Sequence, residues 1–379
     1  MKCLILSGIF LSASLASAIQ PYQGQPSYLP DFVKRQKRPF RLGVIELSRK
    51  VDRDKPLGAI DFAGWAEQGG ILVGAPDHKR VIAFSLRNGQ TQWVLPTDEI
   101  LSAPPLVLGE FVYLGLLDGT LMKVDIHSGK TNWKVKLNSF ASRAMVKDNY
   151  YLYVVTANQT IYAVNLQEGR IEWLHDPELP EGIRLQNLVP PVVYLNKVYL
   201  GISTGEILSL DAKSGALLWR RNPQDQGGRF HDVMGKMVPL GKLLAFCRYD
   251  GLVGAISLET GNEGSLLWSV NELTGSCADS DFREGRFYVG TVNGDVGVIN
   301  ITTGKPLWIE KLGIPVTSIS AAEEYILVAS SEGDILALNT TGSLEWRDFI
   351  GGRVATRPIF FEQSVYFSTG LKNLYGYRL

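Results

Sequence analysis

Seven tryptophans recur along the chain, at 93, 133, 173, 219, 268, 308 and 346, separated by 40, 40, 46, 49, 40 and 38 residues. A period of that size, repeated this often, leaves few architectures open. Each unit must be one small supersecondary structure stacked on its copies. A glycine stands four residues before six of these tryptophans: Gly89, Gly129, Gly169, Gly215, Gly304 and Gly342. Gly takes the positive φ that a tight hairpin turn needs. A short polar residue precedes most of these turns, as Ser85, Asp125, Asn165, Asp211, Asn300 and Asn339 do. Its side chain is placed to accept from backbone N–H groups of the turn. Trp268 departs from the pattern, lying seven residues after Gly261, with Asn262, Glu263 and Gly264 as a local insertion.

Two apolar runs precede each turn. The first set covers 70–74, 111–115, 151–155, 197–201, 243–247, 287–290, 325–329 and 365–368. The second covers 81–85, 121–125, 161–165, 207–211, 253–257, 296–300, 335–339 and 374–378. Turn pairs such as Asp118-Gly119, Asp250-Gly251 and Asn293-Gly294 separate the runs. With a further strand ahead of each meander (103–108, 190–194), a unit has four strands in about 40 residues, the pattern of a β-propeller blade. The expected fold is all-β, an eight-bladed β-propeller of four-stranded antiparallel blades. The eighth unit reaches Leu379 just after its third strand, and an open blade would expose unpaired backbone groups. Residues 42–48 (LGVIELS) are the strand-like run left over, so the last blade is expected to be closed by this N-terminal strand. The tryptophans are expected to fill the wedge between blades, because a cofactor site would need one or two, not a recurring set.

The rest of the chain reads as delivery rather than chemistry. Residues 1–18 look like a secretory signal peptide: Lys2, an apolar stretch, then Ala16-Ser17-Ala18 as a small-residue cleavage site. No Cys follows the apolar stretch, so no lipoprotein Cys is found. Residues 19–39 are expected to be a flexible linker with four prolines and a basic run, 34–38, and residues 40–379 the propeller. With 38 basic and 38 acidic residues the chain lacks the positive excess of a nucleic-acid binder. Cys247 and Cys277 fall in different units and are expected to remain unpaired buried thiols. His78, His127, His175 and His231 show no metal spacing. Asp279-Ser280-Asp281 is expected to be an exposed turn, since the remainder of a calcium loop is missing. No nucleophile elbow or phosphate loop occurs. No catalytic, metal or cofactor residue is assigned, and the protein is expected not to be an enzyme.

The unit ending in Ser/Thr-Gly-Lys-x-x-Trp, seen in 125–133 (DIHSGKTNW) and 300–308 (NITTGKPLW), resembles the repeat of pyrroloquinoline-quinone (PQQ) propellers over roughly residues 60–379. Within that class the chain is similar to the BamB family in length, blade count, secretion signal and N-terminal closure. Residues 229–239 (RFHDVMGKMVP) and the Ile183-Arg184 pair with Pro190 downstream are similar to two family loops, with Met234, Leu185 and Gln186 departing from the pattern. The resemblance implies a monomeric periplasmic scaffold at the inner face of the outer membrane. It would assist outer-membrane protein assembly in the β-barrel assembly (BAM) machinery and bind the POTRA domains of BamA. Ile183 would be the apolar contact, Arg184 the basic one and Asp232 the acidic one. Unfolded outer-membrane protein clients would be further partners. The alternative within the class is a periplasmic PQQ-dependent quinoprotein oxidoreductase, or a cofactor-less relative; those enzymes bind calcium and commonly carry a vicinal Cys pair, which this chain lacks.

Overall fold

The structure, a computed structural model, describes residues 40–46, 64–77, 80–179, 189–223, 230–354, 356–369 and 373–378. The expected signal peptide, the linker, and Ile183 and Arg184 lie outside the described residues. Among the described residues all regular structure is β-strand, arranged as eight four-stranded antiparallel sheets. Blades 1 to 7 are sequential meanders starting at Trp65–Gln68, Leu106–Leu108, Val146–Lys147, Val192–Tyr194, Val233–Leu240, Cys277–Arg283 and Val316–Ala321. Blade 8 takes three strands from the C-terminal end, Ile359–Phe361, Ser364–Ser368 and Asn373–Arg378. Its fourth is Phe40–Glu46, antiparallel to Asn373–Arg378 with Val44 opposite Tyr375. The closing strand therefore begins two residues earlier than the expected 42–48.

The two middle strands of each blade are covered by neighbours on both faces, which is why they read as unbroken apolar runs instead of alternating ones. Phe111–Gly115 and Thr120–Asp125 of blade 2 show this, with Val112, Leu114, Leu121 and Val124 fully buried. The core is divided among the seams between blades. Val73 and Val81 meet Leu114 and Met122 between blades 1 and 2, and Tyr288 and Val298 meet Ile319 and Ile326 between blades 6 and 7.

The repeat has a specific contact behind it. Trp93, Trp133, Trp173, Trp268 and Trp308 each donate their indole N–H to a backbone carbonyl of the next blade: Ile126, Leu166, Ala212, Ile301 and Thr340, at 2.6–3.3 Å. The glycine of that next blade lies on the ring. A Cβ on Gly169 would stand 2.6 Å from Trp133, and one on Gly304 would stand 2.5 Å from Trp268. Gly129, Gly169, Gly215 and Gly304 have φ of 71–72°, so turn geometry and ring contact select the same residue. The polar residue ahead of the turn accepts as expected: Asp125 Oδ1 takes the N–H groups of His127 and Ser128 at 3.1 and 2.7 Å.

Two expectations are corrected. Cys247 and Cys277 are joined in a disulfide, with Cα atoms 6.0 Å apart. They are distant in the repeat but adjacent in space, because Leu243–Arg248 of blade 5 faces the inner strand of blade 6 across one seam. Asp279-Ser280-Asp281 is no exposed turn: it lies within that inner strand, Cys277–Arg283, with both carboxyl side chains mostly buried.

Candidate functional site

The connections that run from the outer strand of one blade to the inner strand of the next lie at one end of the ring. Two of them lead into blades 4 and 5, with residues 176–179, 189–191, 222–223 and 230–232 described. Arg220 ties the first down: its guanidinium pairs with Glu206 at 2.6 Å and donates to the Pro177 carbonyl at 2.8 Å. That pairing holds the Glu206 carboxyl below its usual range despite the opposing pull of burial.

The second connection is clamped at both ends by Arg248, whose side chain is fully buried. Its Nη1 donates to Asn222 Oδ1 at 3.1 Å, and its Nε and Nη2 grip both oxygens of Asp250. Asp250 in turn holds His231 Nδ1 at 2.9 Å. Burial pushes the Asp250 carboxyl up, but hydrogen bonds from Arg248 and His231 and the Arg248 charge bring it below the ordinary value. A Cβ on Gly205, in the blade 4 hairpin, would stand 2.6 Å from His231 Cβ, so the backbones meet closely there. Phe230 and Tyr249 stack edge to face at 6.1 Å beside this network.

Asp232 lies at the end of the same connection. It is 2% exposed, and its Oδ1 has no hydrogen-bond partner among the described residues. Burial pushes its carboxyl up to about 6, against its own backbone amide and His231. The structure thus places Asp232 inside the junction and not on its surface. Asp250 was marked only as part of the Asp250-Gly251 turn pair, and Arg248 carried no mark in the repeat pattern. The available signal was a charged residue ending an apolar strand, LLAFCR, with one residue between it and that turn.

A second charged cluster surrounds the ring axis. Arg357, ahead of the inner strand of blade 8, reaches past blade 7 to Asp279 at 2.8 Å and Asp281 at 3.1 Å. Burial pulls its pKa down, and the two carboxylates more than restore it. Lys236 of blade 5 also approaches Asp281, at 3.4 Å. Arg143, on the approach to blade 3, is close enough to feel the charges of Asp279 and Arg353.

A profile of the family described as "Outer membrane protein assembly factor BamB" matches residues 77–282 and 292–378. The chain belongs to the BamB family. Among solved structures, BamB from Moraxella catarrhalis superposes with a TM-score of 0.74 at 19% identity, over 85% of this chain and 97% of that one. A computationally designed protein, Ika8, gives 0.71 at 16% identity, over 91% and 98%. A europium-containing methanol dehydrogenase gives 0.67 at 13%, over 83% and 90%. At such identities the likeness is one of fold, and this fold serves unrelated activities. No curated protein sequence matches. As a BamB-family ring, the chain can be tested at its centre for the cation that a quinoprotein binds. All four oxygens of Asp279 and Asp281 are already engaged, by Arg357, by Lys236 and by the amides of Ile319 and Ala321. Among the described residues no group of three or more His, Cys, Asp or Glu side chains could hold a metal. Asp279 and Asp281, so engaged, do not fit a calcium ligand set.

Proposed function

We propose that this protein is a non-enzymatic periplasmic scaffold of the outer-membrane β-barrel assembly machinery, docking on the POTRA domains of BamA. The observation that carries this reading is the family match across nearly the whole ring. The disulfide supports the compartment, because such bonds persist where the surroundings are oxidising. The docking face is assigned to the connections that lead into blades 4 and 5. Ile183 supplies an apolar contact and Arg184 a basic one. Asp232 is a positioning residue there, its buried carboxyl fixing how the second connection enters blade 5. A ring with clamped connections offers a preorganised surface, so little ordering entropy is lost on binding. Outer strand edges are the place where an extended client segment would add by β-pairing.

Affinity purification of the full chain from native outer membranes tests the proposal. A barrel protein with POTRA domains is expected to co-purify, and Arg184→Ala is expected to lower its recovery at least tenfold. Full recovery with the Arg184→Ala, Asp232→Ala double variant would overturn the assigned contacts. Quinone absorbance with dye reduction after addition of PQQ and calcium would overturn the scaffold reading itself.

A further inference from the structure

The inner strand of blade 6, Cys277–Arg283, is bonded to four parts of the ring. Cys277 is covalently linked to Cys247 of blade 5. Ser280 Oγ accepts from the Lys236 amide at 2.8 Å and donates to the Lys236 carbonyl at 3.0 Å, both in blade 5. On the other side, Asp279 Oδ2 and Asp281 Oδ2 accept from the amides of Ile319 and Ala321 of blade 7, each at 3.1 Å. Arg357, on the approach to blade 8, reaches Asp279, Asp281 and the Ser280 carbonyl. Side chains of this one strand thus satisfy backbone groups on the inner strands of both neighbours. Gly235 lets blade 5 come this close: its φ is +64°, and a Cβ there would stand 2.5 Å from Ser280 Oγ.

We propose that the Cys247–Cys277 pair is a redox-controlled staple for this strand, so that thiol oxidation secures the polar bridge spanning blades 5 to 8. Cys277 lies two residues before Asp279, and the staple fixes the end of the strand from which both carboxylates project. On oxidation the two thiols lose their protons and one S–S bond forms. The two electrons reduce an acceptor disulfide, that of a thiol oxidase or a small-molecule disulfide, which leaves as two thiols. Reduction reverses this and loosens the ring centre while the tryptophan seams of blades 1 to 3 hold. Both half-cystines are at most 1% exposed, so a reductant reaches them only when the strand opens.

Hydrogen exchange on the full chain tests this, comparing the oxidised protein with the Cys247→Ser, Cys277→Ser variant. The Ile319 and Ala321 amides are expected to exchange at least tenfold faster in the variant, while the Ile126 and Leu166 amides of blades 2 and 3 are unchanged. Equal protection at Ile319 and Ala321 overturns the proposal, and so does uniform acceleration in every blade. Should the variant fail to fold, the oxidised chain is reduced in place with dithiothreitol and the same four amides are followed. Protection at Ile319 and Ala321 that survives the appearance of two titratable thiols overturns it equally.

Discussion

Across the seam from blade 5 to blade 6, Trp268 donates to the Ile301 carbonyl at 3.0 Å, Gly304 lies on its ring, and a disulfide joins the two blades. Across the seam from blade 4 to blade 5, Trp219 Nε1 is buried with no acceptor among the described residues, and no glycine lies on its ring. The cause is local. Blade 5 carries the longer turn, in which Gly264 packs on Arg221 while a Cβ on Gly261 would meet nothing within 4 Å. An insertion in one turn therefore removes the contact that the repeat supplies elsewhere. The 4/5 seam is held instead by an apolar cluster around Phe246 and Leu244 and by the buried Arg248–Asp250–His231 network. The two seams show that the repeat specifies each interface separately, and that a lost interface contact is replaced by residues outside the repeat.

The largest difference is expected at Arg248. Arg248→Ala would leave Asp250 with His231 but without its main partner, and would free Asn222 Oδ1, a loss of about 3–5 kcal/mol for breaking a buried pair. Urea unfolding read by tryptophan fluorescence measures it. Arg248→Met tests whether charge or volume matters: recovery of most of the stability with Met would mean the clamp acts by packing.

Gly235 and Gly261 come next, because they share a backbone conformation and differ in surroundings. Gly235→Ala combines positive-φ strain with overlap on Ser280 N at 2.7 Å and is expected to cost ~3 kcal/mol. Gly261→Ala has φ of +84° but open space, and is expected to cost ~1 kcal/mol. Equal midpoints in denaturant would show that blade 5 tolerates a shift against blade 6, contrary to the close approach seen at Ser280.

How far each seam could be read in the sequence follows from the range of its interactions. The glycine turns, the polar acceptors and the apolar runs act within a few residues, so blade number and strand order are visible in the spacing alone. Closure by the N-terminal strand follows from the need to pair a backbone edge. The disulfide was not legible, because proximity across a seam depends on how two blades face each other. Asp279 and Asp281 look like a loop in sequence, yet their partners Ile319 and Ala321 stand 40 residues away and Arg357 stands 78 from Asp279. Asp232 was legible as part of a family-like stretch but not as a buried group, since nothing local signals that the junction closes over it.

That burial gives the 4/5 seam a pH dependence of its own. The Asp232 carboxyl sits at about 6 in the folded ring and near the ordinary 3.8 when unfolded. Between these values the folded state binds the extra proton, so stability is full below about pH 4 and falls as pH rises through about 6. The shift corresponds to at most ~2–3 kcal/mol. Asp232→Asn should flatten this fall in thermal melts between pH 4 and pH 7, while the carboxylates whose values are lowered, Asp250 and Glu206, weaken the fold on the acid side in both proteins.

The smallest effect separates the two tryptophans. Trp268→Phe removes a hydrogen bond to Ile301 and part of the surface lying on Gly304, while Trp219→Phe removes a buried donor that has no acceptor. Both lose similar volume, so the cavity terms nearly cancel in the comparison. A net hydrogen bond is worth about 1 kcal/mol, and relieving an unsatisfied donor returns a comparable amount. Trp219→Phe should therefore be the milder substitution by ~1–2 kcal/mol, the difference between an interface bond lost and a desolvated N–H removed. Paired denaturation curves of the two variants read this directly. If Trp219→Phe proves as costly as Trp268→Phe, the Trp219 indole has a partner in solution, and the 4/5 seam is no weaker in its repeat contact than the others.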